Sequence, residues 1–135
     1  MNTSFERPYR PVDLNSSITH GFPLASMAEK LMQEAAFKTS GRSSLTLAHG
    51  GELTVVLAVL KAGHALAEHP APAAAAVTCL DGNLTFATKT EEITLEKGEA
   101  VVFTGDVLHS VRANEDSVFL IAIGGAATKH SQQNE

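Results

Sequence analysis

The sequence predicts a mainly β fold: one barrel or sandwich of short strands, carrying a single amphipathic helix near its N-terminus. Three observations predict it. From Ser43 onward, short runs of Val, Leu, Ile and Thr recur between turn residues, at the spacing of about 8–12 residues typical of all-β sandwiches and barrels. Ahead of them, Leu24, Met27, Ala28, Leu31, Met32, Ala35 and Ala36 recur with the period that places them on one helix face. The length of 135 residues with 44% hydrophobic content matches one ordinary core.

Taken in order, residues 1–20 carry Pro8 and Pro11 and few periodic apolar positions, so they read as an arm that wraps a neighbour or stays loose. Residues 21–42 hold the helix, with Ser26 and Glu29 as a capping box and Gly41 as its stop. The Met-containing stripe is expected to pack on the barrel. Residues 43–125 form that barrel, with strands expected over 44–48, 52–61, 76–80, 84–88, 92–95, 100–103, 109–112 and 118–123. Asp81-Gly82 between two apolar runs is a hairpin signal, because such turns require φ > 0. Residues 126–135 are polar and are expected to fray, which leaves His130 without a role.

Composition excludes several classes of function. A net charge of -5 and a pI near 5.6 arise from scattered charges, with no Lys/Arg block to neutralise a phosphate backbone, so no nucleic-acid partner is expected. No apolar run reaches the ~18 residues that cross a bilayer, so no membrane partner is expected. The start of the sequence resembles neither a secretory signal nor a transit peptide. The lone Cys79 fits a reducing compartment, and a cytoplasmic location is expected. Glycine-rich phosphate loops, Cys-x-x-Cys pairs and Gly-x-Ser-x-Gly elbows are absent from the sequence.

Two glycine-led segments carry a resemblance. The first reads Gly63, five residues, His69, one residue, Ala71, three residues, Ala75, six residues, Gly82. The second reads Gly98, five residues, Thr104, one residue, Asp106, two residues, His109, three residues, Ala113. In spacing and in Gly63, His69, Gly82, Gly98 and His109, the chain resembles the cupin family. Its first motif is Gly-x5-His-x-His-x3-4-Glu-x6-Gly, and its second is Gly-x5-Pro-x-Gly-x2-His-x3-Asn. The resemblance implies a double-stranded β-helix, or jelly-roll, barrel, and a homodimer paired through sheet edges and N-terminal arms. It also implies that metal donors would stand at His69, Ala71, Ala75 and His109, where two of the four residues have no donor atom.

The candidate ligand pocket is therefore His69, Ala71, Ala75, Cys79, Phe103, His109 and Val111, and the candidate metal ligands are His69 and His109. A catalytic transition-metal site uses about three protein donors with an open position. The expected cofactor is accordingly none, with one divalent ion of zinc, nickel, iron or manganese as the alternative. Cys79 lies four residues from Ala75 and shares its face in a regular strand, where it reads first as a small buried hydrophobe. His64 and Glu68 point away from His69 unless the chain bulges. His20, His49, Asp106, Arg112 and the acidic group Glu91, Glu92, Glu96 and Glu99 read as solvated.

Alanines at donor positions empty volume inside the barrel, which suits a small, partly apolar ligand carrying an acceptor or a carboxylate. Three functions stay open: a metal-free small-molecule binder, a metal-dependent enzyme such as a dioxygenase or isomerase, and a structural dimerisation module. A further reading makes Pro70–Ala76 a low-complexity loop without functional meaning.

Overall fold

The order of elements in the computed structural model is β1 (Val12–Asp13), α1 (Leu24–Gln33), α2 (Ala35–Ser40), β2 (Arg42–His49), β3 (Leu53–Leu60), β4 (Ala65–His69), β5 (Ala75–Asp81), β6 (Asn83–Ala87), β7 (Glu92–Glu96), β8 (Ala100–Phe103), β9 (His109–Ala113) and β10 (Ser117–Gly124). The structure describes residues 5–124, apart from the side chain of His69. The expected tail, including His130, lies outside the described residues.

Strands fall into two sheets, one ordered β1-β2-β3-β10-β5-β8 and the other β4-β9-β6-β7. From β3 onward the chain crosses repeatedly between them, so neighbours in sequence are often not neighbours in a sheet. Asp81-Gly82 illustrates this. The expected hairpin does not form, because β5 pairs with β10 and β8, whereas β6 pairs with β9 and β7. Gly82 instead turns a corner between sheets at φ 94°, and Asp81 keeps a negative φ. The Cβ of any other residue at Gly82 would run into Ser117 and the carbonyl of Asp116.

Alternation divides the large sheet into two faces. Ala58, Leu60, Val77, Cys79 and Phe119 turn inward to a core shared with Leu84, Phe86, Leu95 and Val111 of the small sheet. Leu45, Leu47, Leu57, Val59 and Val118 turn outward, where Met27, Ala28, Leu31 and Phe37 of the helices cover them. Strands buried on both faces lose the apolar/polar alternation, which is why β3 and β10 read as continuous apolar runs.

The expected single helix is two. Glu34 adopts an extended conformation (φ -72°, ψ 152°) between α1 and α2, and its carboxylate accepts hydrogen bonds from Arg7 and Ser43. The break rotates α2 so that Phe37 is buried and Ala35 and Ala36 are exposed, contrary to the single-stripe expectation. The Ser26–Glu29 capping box is absent. Helix α1 begins directly after Pro23, and Ser26 Oγ donates to the Pro23 carbonyl at 3.1 Å. Gly41 closes α2 in the left-handed conformation, as expected.

Part of the described arm is held by the chain's own fold. Phe5 and Tyr9 pack against the helix-side core, Arg7 pairs with Glu34, and β1 adds in parallel to β2. Proline and sparse periodicity disguise the arm because its anchors are single side chains rather than a repeating stripe. Strand β4 was also absent from the expected set, since Ala65–His69 has little β-branched character.

Candidate functional site

The two sheets face each other across an interior cavity of about 100 Å³, lined by Leu66, Ala71, Pro72, Ala75, Val77, Phe103, His109, Val111, Phe119, Ile121 and Ile123. Apart from His109, every one of these side chains is apolar. Five residues of the sequence-derived pocket therefore meet here: Ala71, Ala75, Phe103, His109 and Val111. They come from β5, β8, β9 and the segment before β5, which the crossing topology brings together.

His109 opens β9 and is buried. Its ring stacks on Phe86 with centroids 5.3 Å apart and an interplanar angle of 16°, and lies 4.6 Å from Phe103. Nδ1 is 3.0 Å from the carbonyl oxygen of Val107. A carbonyl can only accept, so Nδ1 carries the proton, and in the neutral ring the lone pair belongs to Nε2. That is the tautomer suited to accept a hydrogen bond or to ligate through Nε2.

His69 ends β4 with its backbone directly opposite His109 in the ladder. The pairing passes from Leu66–Val111 to His69–His109, so β4 bulges by one residue between them. The bulge was the one condition that reopened His64 and Glu68 as site residues, yet both are exposed. The His69 side chain lies outside what the structure describes.

Cys79 does not line the cavity. It is fully buried in the inward core, where Sγ donates to the carbonyl oxygen of Asp81 at 3.4 Å. Burial pushes its thiol above the ordinary value, so a thiolate ligand is disfavoured there. Its seat in the core next to the Gly82 corner, rather than in the cavity wall, corrects its inclusion in the pocket. The Pro70–Ala76 run, read alternatively as a low-complexity loop, leads into β5 at Ala75. Ala71 and Ala73 are buried, the Ala71 carbonyl accepts from Asp106 N–H, and the Ala74 carbonyl accepts from Gly124 N–H.

A three-donor metal set is not assembled from the described residues, which bring no three His, Cys, Asp or Glu side chains together. Ala71 and Ala75 present buried methyl groups where donors would stand. Two of the four donor positions that the resemblance implies thus carry no donor atom.

A second concavity of about 570 Å³ abuts the cavity and shares Leu66, Phe119 and Ile121 with it. Val56, Ala58 and Leu60 continue its apolar wall, while Arg7, Glu34, Ser40, Arg42, Ser43 and Ser44 form its rim. Sequence reasoning missed this cleft. Its signal was present in β2, where Arg42, Ser44 and Thr46 alternate with the apolar Leu45 and Leu47. An alternating strand shows two faces without showing that one of them overhangs a cleft.

Paired sheets with strands crossing between them around an apolar cavity define a double-stranded β-helix barrel. The cupin-domain profile matches residues 56–124, and the chain belongs to the cupin family. Solved structures agree on the fold. A conserved protein of unknown function from Streptococcus pyogenes is similar at 21% identity and a TM-score of 0.66, over 85% of this chain and 95% of that one. An RmlC-like cupin with a double-stranded β-helix fold from Methanocaldococcus jannaschii is similar at 13% identity and a TM-score of 0.62, over 67% and 85%. A mutant salicylate 1,2-dioxygenase from Pseudoaminobacter salicylatoxidans is similar at 15% identity and a TM-score of 0.66, over 78% of this chain and 34% of the enzyme. No curated protein matches the sequence.

Proposed function

We propose that this cupin binds a small, largely apolar organic molecule inside the barrel without a resident metal, with His109 as the polar contact at the deep end. The observation that carries the reading is the cavity itself. Among the described residues its walls are apolar and its one polar side chain is the His109 imidazole, with Nδ1–H turned to the Val107 carbonyl, and the adjoining cleft has the volume of an ordinary ligand site. The cavity is smaller than the ~150 Å³ void that admits a benzene ring. It therefore takes only the narrow end of a ligand, and the cleft takes the bulk.

Ala75→Leu tests this by filling the cavity. A panel of short aliphatic and aromatic acids, alcohols and amides is titrated by calorimetry into wild type and variant. Overpacking is expected to cost about 1–3 kcal/mol, and the folded variant is expected to lose binding at least tenfold. Unchanged affinity in a folded Ala75→Leu protein overturns the reading.

A metal-dependent reaction is the second reading, favoured by one observation: the backbones of His69 and His109 stand opposite each other across β4 and β9. Metal analysis of untagged protein decides between the two. Stoichiometric metal that disappears in both His69→Ala and His109→Ala overturns the metal-free reading.

A further inference from the structure

We infer that Arg42 is a carboxylate anchor at the mouth of the cleft, so that the ligand is an amphiphilic monocarboxylate bound with its charged end outward and its apolar end toward His109. This rests on the cavity reading above and adds to it a ligand class, an orientation and a residue.

Arg42 begins β2 and pairs with Leu60 of β3, as Ser44 pairs with Ala58. Directly opposed residues on neighbouring strands share a sheet face, and Leu60 and Ala58 belong to the inward core. Arg42 therefore emerges on the inward face, where it lines the cleft beside that apolar wall. The other charges at the rim are already matched. Arg7 binds both oxygens of Glu34, with Nε to Oε2 and Nη2 to Oε1 at 3.1 Å each, and Nη2 also donates to the Ser44 carbonyl at 2.8 Å. Among the described residues, no hydrogen bond or ion pair engages the Arg42 guanidinium.

The cleft lining thus holds two arginines and one glutamate, leaving one positive charge in a chain whose net charge is -5. A guanidinium is planar and always charged, and it grips a carboxylate with two parallel hydrogen bonds. With an apolar wall below it, it selects a ligand that is anionic at one end and hydrocarbon beyond. Of the serines at the same rim, Ser40 and Ser43 donate their hydroxyl protons to the Ala36 carbonyl and to the Glu34 carboxylate, which leaves the Ser44 hydroxyl beside Arg42 to donate to that end.

Hexanoate, octanoate and decanoate are titrated against the matching primary amides, with wild type and Arg42→Gln. Arg42 is exposed, so the variant is expected to keep the wild-type melting temperature. The proposal expects carboxylates to bind about five- to tenfold tighter than amides in wild type. That preference should vanish in Arg42→Gln and, in wild type, shrink as salt is raised. Equal binding of acid and amide by wild type, or a preference that survives in Arg42→Gln, overturns the anchor and leaves the cavity reading standing. Failure of every acid and amide to bind overturns both.

Discussion

Nδ1–H of His109 is committed to the Val107 carbonyl, and the ring packs against both Phe86 and Phe103, which also touch each other, so packing and hydrogen bonding can be separated by substitution. His109→Phe keeps an aromatic ring in the stack and removes the donor, which is expected to cost about 1–2 kcal/mol. His109→Ala also empties the stack and is expected to cost about 2–4 kcal/mol. Urea unfolding followed by far-UV circular dichroism measures both, since the chain has no Trp to report by fluorescence. In the proposed function both variants lose ligand affinity, so a folded His109→Phe protein with wild-type affinity removes His109 from the site. Position 109 was legible as a spacing. Its tautomer and its aromatic neighbours were not, because Phe86 lies 23 residues away in sequence and reaches the ring only through the β6–β9 pairing.

Turns between strands show how equal backbone demands acquire unequal weight. Gly82 and Gly98 have nearly the same φ, 94° and 88°. A Cβ at Gly98 would meet nothing within 4 Å, whereas at Gly82 it would strike Ser117 and Asp116. Gly98→Ala is therefore expected to cost about 1–2 kcal/mol of left-handed strain, and Gly82→Ala at least about 2 kcal/mol more. Urea midpoints compare them directly, and equal losses would contradict the collision. The sequence marked both glycines as turns. It could not mark Gly82 as a corner between sheets, since Asp-Gly reads the same in a two-strand hairpin and in a crossing. For the same reason the break at Glu34 was hidden: nothing local distinguishes a helix that continues from one whose next carboxylate is claimed by Arg7.

The Glu34 contact ties together three parts of the molecule that are distant in sequence, namely the N-terminal arm, the helix junction and the first long strand. The hydrogen bond from Arg7 is the main cause holding the Glu34 carboxyl below its ordinary 4.5, opposed by partial burial and aided by Ser43 and by the charge of Arg7. A carboxylate depressed on folding contributes stability above its unfolded pKa and loses it as pH falls through the folded value. Wild type is therefore expected to exceed Glu34→Gln in stability at pH 7 by about 1 kcal/mol or less, because the Arg7 side chain is 44% exposed and its pairing is solvent-screened. The gap should close as pH drops below 4.5. A gap that is constant from pH 7 to pH 3, read from thermal midpoints, would show that the carboxylate charge contributes nothing.

Strand-rich character, the amphipathic helix and the register of Gly63, His69, Gly82, Gly98 and His109 were determined by the sequence alone, because periodicity and turn chemistry are local properties. So was the loss of donors at Ala71 and Ala75, which is a matter of residue identity. Tertiary structure alone decided which strands pair, where Cys79 sits, that the arm lies on its own barrel, and that Arg42 borders an apolar cleft. Those features depend on contacts between segments tens of residues apart, and pairing across two sheets is set by how the whole chain buries its apolar faces at once.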